Sequence, residues 1–173
     1  VSNTMNAAGR SPAMRGVIEK TLGVDRRANL PEFHSKTLRK RDKKRLPAKT
    51  EAIREPLAAG PTRGKVALFT TCYCNVNTPA IGQDLIKVLE HNGIPVRLTA
   101  KEKCCGMPKL EQGDLDTVNK YRKTNIPELI RLIDAGWDIV AAVPSCVLMF
   151  KQELPLMFPE DEDVQRVKAH IFD

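Results

Sequence analysis

No stretch of the 173-residue chain comes near the roughly 20 consecutive apolar residues that a membrane-crossing helix needs. The first ten residues, Val1 to Arg10, are polar and lack the hydrophobic centre of a secretion signal. Aromatic residues make up only 5% of the chain, and Phe33 alone lies near its most basic stretch, so there is no stacking platform for single-stranded nucleic acid. A Gly-rich phosphate loop is also missing, because Gly82 and Gly93 lack the dinucleotide spacing. The three histidines, His34, His91 and His170, have no evident partners, and no acid–base or nucleophile constellation is visible. No catalysis is therefore assigned to this chain by itself. Cysteine is sparse and odd in number, at five. That argues against an extracellular disulfide framework and for a reducing compartment, with the thiols used for metal or redox chemistry.

Apolar residues make up 42% of the chain, enough for a real core, and the length suits one domain plus an extension. The chain starts at Val1 rather than Met, which is expected of an internal or processed start. The net charge of +7 is uneven. Residues 1–64 carry 15 basic and 6 acidic residues, while residues 65–173 carry 13 and 15. The basic character thus belongs to an N-terminal extension. Within it, Ser11-Pro12 reads as a helix cap followed by proline at the first turn. Met14, Val17, Ile18 and Leu22 then recur at helical spacing and Gly23 stops the helix. So short an amphipathic helix needs a surface to dock on. Residues 24–63 show no sustained period. The basic run from Lys36 to Lys49 is expected to be a solvated linker, with binding of nucleic acid, an acidic partner or anionic lipid as the functional alternative. Pro56, Gly60, Pro61 and Gly64 mark the expected boundary between residues 1–64 and a globular domain of residues 65–173.

From Lys65 the pattern changes. Val66-Ala67-Leu68-Phe69-Thr70 is an apolar run of the kind buried on both faces of a parallel sheet. Thr71 to Asn75 is expected to be a loop, and Thr78-Pro79 starts a helix with Ile81, Leu85, Val88 and Leu89 on one face. Pro95 to Thr99 is a second strand. A helix over Gln112 to Ala135 is expected to break near Pro127. Asp138 to Val143 is a third strand, Pro144-Ser145-Cys146 opens a further helix, and a last helix covers Glu160 to His170. The order βαβαβα predicts an α/β fold: a three-layer, Rossmann-like open parallel sheet with right-handed crossovers.

The stretch Lys103-Cys104-Cys105-Gly106-Met107-Pro108 stands out. Adjacent Cα atoms are about 3.8 Å apart, so a disulfide between Cys104 and Cys105 would close a strained ring. Two thiols at one corner, with Gly106 free to adopt positive φ, suit a metal centre with soft ligands. The bland alternative is a pair of small buried apolar residues. Placement on the predicted sheet favours the metal. Cys72 follows the first strand, Cys104 and Cys105 the second, and Cys146 the third, at a helix start where the dipole favours a thiolate. Loops at the carboxyl ends of parallel strands share one edge, where ligands bind. Four thiolates there would serve a 4Fe–4S cluster or tetrahedral zinc. Cys74, two residues beyond Cys72, would face the same side on an extended segment and is read as a spare thiol.

With Cys72, Cys104-Cys105-Gly106 and Cys146 in this order, the chain resembles the cysteine-rich CCG domain family. That domain occurs in the B subunit of heterodisulfide reductase, in the iron–sulfur subunit of glycolate oxidase and in the C subunit of anaerobic glycerol-3-phosphate dehydrogenase. Here 31 residues separate Cys72 from Cys104, and 40 separate Cys105 from Cys146. Phe69-Thr70-Thr71-Cys72, Asn77-Thr78-Pro79 and Lys101-Glu102-Lys103-Cys104-Cys105-Gly106-Met107-Pro108 carry the likeness over Lys65 to Pro155. It extends more loosely over Met14 to Pro31. One departure is Val143-Pro144-Ser145-Cys146, where the family pattern has a further cysteine in place of Val143.

The resemblance implies an iron–sulfur cluster, of the 4Fe–4S kind, on Cys72, Cys104, Cys105 and Cys146, with zinc as the alternative. It also implies electron transfer from a flavoprotein dehydrogenase subunit that oxidises a hydroxy acid or glycerol 3-phosphate, toward a quinone or another acceptor. A second CCG domain and a ferredoxin module are the expected partners in a longer chain, since no Cys-x-x-Cys-x-x-Cys run occurs here. The expected location is cytoplasmic, at most peripheral on the inner face of the membrane, with no nucleic acid bound. A zinc-bound or metal-free domain that docks other proteins of the complex, with no redox role, is the competing reading.

Overall fold

A computed structural model describes residues 2–46 and 64–173. Its centre is a sheet of four parallel strands: β1 (Val66–Leu68), β2 (Val96–Leu98), β3 (Asp138–Val140) and β4 (Ile171–Phe172), in the order β2-β1-β3-β4. Val66 pairs with Val96 on one side and with Asp138 on the other, while Ile139 pairs with Ile171. The α/β reading holds, with one strand more than expected. The two residues of β4 are too few to show a period.

Alternation along β1 sorts the core into two layers. Leu68 joins Leu38, Ile86 and Leu98. Ala67 and Phe69 join a larger cluster with Val118, Leu129, Ile139, Phe150 and Val167. The first layer is covered by α5 (Pro79–His91), and the second by α7 (Leu115–Asp134) and α10 (Glu162–His170). Strand order reverses beside β1, so the loops leaving β1 and β3 diverge and open a crevice at the carboxyl edge, the usual ligand position in such sheets.

Three local expectations need correction. Thr71 to Asn75 is no loop: α4 (Cys72–Val76) begins there. α7 runs unbroken through Pro127. Pro127 and Lys123 both lie on the exposed side, so the carbonyl that loses its N–H partner meets water and the helix tolerates the proline. A short α6 (Met107–Glu111) precedes α7, and the helix expected from Pro144 is built from α8 (Pro144–Leu148), a π-helical turn (Met149–Glu153) and α9 (Leu154–Met157).

The N-terminal segment holds α1 (Ser2–Arg10), which no pattern announced, and α2 (Pro12–Leu22). The Ser11 hydroxyl accepts from the Met14 N–H, and Gly23 ends α2 at φ 70°, as read from the sequence. Met14, Val17 and Leu22 stay exposed. Buried Arg15 donates to the carbonyls of Asp25, Arg26 and Ala28 and so shapes the turn after α2.

The solvated-linker reading fails for residues 36–46. Thr37 caps α3 (Leu38–Arg41), and Leu38 is fully buried against α5. Arg45 reaches Asp42 and Glu90. Lys36, Lys40, Lys43 and Lys44 do face solvent. A run of charge hid a single anchoring leucine. Lys49 and the boundary signals Pro56, Gly60 and Pro61 lie outside the described residues.

Candidate metal centre

The crevice at the carboxyl edge collects four of the five cysteines. Cys72 is the first residue of α4, immediately after the β1 exit. Cys104 and Cys105 lie between β2 and α6, and Cys146 sits in the first turn of α8, after β3. Their thiols are near enough to act on one another in turn: Cys72 beside Cys104, Cys104 beside Cys105, and Cys105 beside Cys146. Residues far apart in sequence meet because three parallel strands end at one edge.

The turns are shaped for close approach of backbone to sulfur. Gly106 has φ 106°, which side chains rarely adopt. A methyl group there would also lie 3.4 Å from the Met149 Cε. With this turn, the Cys105 and Gly106 N–H groups point at the Cys104 sulfur and the Met107 N–H at Cys105. The Tyr73 N–H points at Cys72. Thr71 is the one positive-φ residue other than glycine among those described, at φ 54°, and its hydroxyl accepts from the Cys74 N–H at 3.1 Å. Backbone strain of this kind concentrates at functional sites.

Neighbouring thiols split their acidities. The hydrogen bonds from Cys105 and Cys72, then the backbone N–H groups, hold Cys104 well below the ordinary thiol range. Cys146 is lowered by its bond from Cys105. Cys72 and Cys105 are pushed up, first because they donate to those two sulfurs and then by burial. The pattern alternates: Cys104 and Cys146 are lowered, and Cys72 and Cys105, which donate to them, are raised.

Cys105 and Cys146 are buried among Phe69, Val118, Met149 and Phe150, whereas Cys72 is exposed. The site therefore has an apolar floor and an open rim. The side chain of Asn125, buried on α7, clamps the cysteine loop. Its Oδ1 accepts from the Lys103 N–H at 2.8 Å, and its Nδ2 donates to the Cys104 carbonyl at 3.1 Å. Glu128 accepts from the Ala100 N–H at 2.8 Å. These polar residues of α7 escaped the sequence reading, which tracked only its apolar period. An asparagine at a position otherwise facing the core was the available signal.

Cys74 stands apart. Because Cys72–Val76 is helical, residues two apart point to nearly opposite sides. Cys74 is turned inward beside the Thr71 and Thr78 hydroxyls, and burial pushes its thiol pKa up. Asn75 and Asn77 serve the N-terminal segment. Asn75 accepts from the Arg39 N–H at 3.2 Å, and Asn77 donates to the Glu32 carbonyl at 2.8 Å.

The chemistry of this donor set, four thiols with N–H groups aimed at sulfur, suits a thiolate-ligated metal centre. Among the described residues no group of three or more Cys, His, Asp or Glu side chains is already disposed to hold a metal ion. None of the helices among the described residues is long and apolar enough to cross a membrane.

A crevice of cysteines at the carboxyl edge of a doubly wound sheet defines a class of thiol-rich α/β domains. Residues 66–151 match the family model described as the CCG cysteine-rich domain, and the chain belongs to that family. It is similar to the C subunit of the anaerobic glycerol-3-phosphate dehydrogenase of Escherichia coli strain K12, with 30% identity over 152 residues, covering 87% of this chain and 36% of that protein. It is also similar to lactate utilization protein A of an Exiguobacterium species, with 36% identity over 60% of this chain and 41% of the relative. Lactate utilization protein A 1 of Bacillus mycoides is 31% identical over 61% and 41%. The chain thus spans little more than a third of the first of these relatives and about two fifths of the others. No solved structure matches it.

Proposed function

We propose that this chain is the iron–sulfur electron-transfer domain of a flavoprotein-linked oxidoreductase complex. Residues 65–173 form the cysteine-rich unit and the basic segment before them an extension. The observation that carries the reading is the contact of Cys72, Cys104, Cys105 and Cys146 at one sheet edge, with backbone N–H groups directed at three of the sulfurs. Relatives named as a dehydrogenase subunit and as lactate utilization proteins support a place in the oxidation of glycerol 3-phosphate or a hydroxy acid.

When bound, a 4Fe–4S cluster supplies reversible one-electron storage at a potential set by its surroundings. The protein's part is to present thiolates, aim N–H dipoles at sulfur and exclude water from the floor of the crevice with Phe69, Val118, Met149 and Phe150. Cys104 and Cys146 are the more acidic pair of the four, and Cys72 and Cys105 the less acidic. The exposed rim at Cys72 and Tyr73 is where an electron partner approaches. That partner is a flavoprotein dehydrogenase subunit on the donor side. A ferredoxin module and a second CCG domain of a longer chain, and a quinone or another electron acceptor, are this domain's further partners. The location that fits is the cytoplasm or the inner membrane face.

The test is iron and sulfide analysis, with visible absorption, of protein purified without oxygen. Cys→Ser changes at Cys72, Cys104, Cys105 and Cys146 each lose most of the iron, while Cys74→Ser retains it. Colourless protein containing zinc would replace this reading with that of a docking domain.

A further inference from the structure

A part-buried ion pair lies beside the cysteine crevice, and no element of the proposed electron-transfer role uses it. The Glu102 carboxylate, with a side chain only 9% exposed, faces Arg39 at 3.1 Å. It accepts from the Thr70 N–H at 3.0 Å, from the Thr70 hydroxyl and from the Thr99 hydroxyl. Thr70 lies two residues before Cys72, and Glu102 two before Cys104. One carboxylate therefore ties the segment entering the Cys72 turn to the segment entering the Cys104-Cys105 turn.

Arg39 closes the arrangement from a distant part of the chain. Its guanidinium donates to the Thr99 carbonyl at 2.7 Å and to the Thr99 hydroxyl at 3.1 Å, 60 residues away in sequence. Its own N–H is held by Asn75 of α4, the helix that begins with Cys72. The neighbouring Leu38 is fully buried, so the arginine is delivered by a fixed anchor. The charge of Glu102 is felt at Cys146 as well.

We propose that Arg39 and Glu102 are positioning residues for the cysteine site, and that the basic N-terminal segment is thereby a working part of it. Glu102 sets the spacing of the Cys72 and Cys104 turns. Arg39 supplies the positive charge that offsets a carboxylate held between the two cysteine turns, and Lys at this position, with a single ammonium, cannot span the same fork of acceptors. The positioning role rests on geometry alone, while its effect on a redox potential rests on the iron–sulfur reading.

The experiment compares wild type, Arg39→Met, Glu102→Gln and the double variant in two measurements. In hydrogen exchange followed by mass spectrometry, either single change speeds exchange of residues 70–76 and 99–105 by at least about tenfold, with residues 37–46 following in Arg39→Met. Glu102→Gln keeps an acceptor for the Thr70 N–H, so this variant separates loss of charge from loss of fold. In a redox titration of the visible chromophore, Arg39→Met moves the midpoint negative and Glu102→Gln moves it positive. The double variant returns near wild type. A purely structural role would move both single variants the same way. Unchanged exchange in both cysteine turns overturns the proposal, and so do potential shifts of one sign. If wild-type protein carries no iron, the electron-transfer reading fails and the exchange result alone decides the role of Arg39 and Glu102.

Discussion

Gly82 and Leu38 offer the sharpest test of how the N-terminal segment is held. Gly82 lies in the first turns of α5, where its backbone is helical and alanine would be favoured by about 1 kcal/mol. A Cβ built there would stand 2.3 Å from the Leu38 Cδ2 and 3.3 Å from its Cδ1. Leu38 is fully buried and hemmed in by Leu68, Ile86 and Leu98, so it cannot swing away. Overpacking of this kind costs roughly 1–3 kcal/mol, which outweighs the helix gain. Gly82→Ala should therefore destabilise by about 1 kcal/mol net. Leu38→Ala should cost about 3 kcal/mol, a fall in melting temperature of roughly 6–12 °C for a domain of this size. In the Leu38→Ala background the clash is gone, and Gly82→Ala should stabilise by about 1 kcal/mol. The coupling is then about 2 kcal/mol, read from urea unfolding of the four proteins by circular dichroism. Coupling below about 0.5 kcal/mol, the level of independent sites, would refute the claim that Leu38 seats on Gly82. It would return residues 36–46 to the status of linker.

Three further outcomes follow from the crevice itself. Asn125→Leu leaves the part-buried N–H of Lys103 without its acceptor and the Cys104 carbonyl without a donor, so urea unfolding should show a loss of roughly 1–3 kcal/mol, with Asn125→Asp milder because the acceptor survives. Gly106→Ala forces a side chain into φ 106°, and a melting curve should register roughly 1–3 kcal/mol of strain, with iron content reduced. Thiol acidity and exposure make opposite forecasts for alkylation of metal-free protein at about pH 7. Cys72 is the more exposed but its pKa is raised, so it stays protonated. Cys104 is held below the ordinary range and is ionised, so mass-mapped iodoacetamide labelling should reach Cys104 first. As the pH rises well above neutrality the difference should shrink, because Cys72 ionises only there, and labelling of Cys72 first at neutral pH would contradict the charge pattern.

Sequence alone settled the α/β class, because apolar runs of strand length alternating with 3.6-residue periods leave few other folds. It also brought Cys72, Cys104, Cys105 and Cys146 to one edge, since parallel strands all point their carboxyl ends the same way. Gly106 was legible too, as the residue able to turn a Cys-Cys corner. Tertiary structure decided what depends on contacts between distant segments. That Cys72 and Cys74 part company follows from a helical turn held by Thr71 in a conformation no local pattern announces. That Arg39 meets Glu102, and that Leu38 is core while its lysine neighbours are surface, depends on a groove at Gly82 and a carboxylate at Glu102, both far along the chain. Periodicity reports which side of an element is apolar. It carries no information on which remote side chain fills the space beside a glycine or neutralises a buried charge, and those pairings give this crevice its shape.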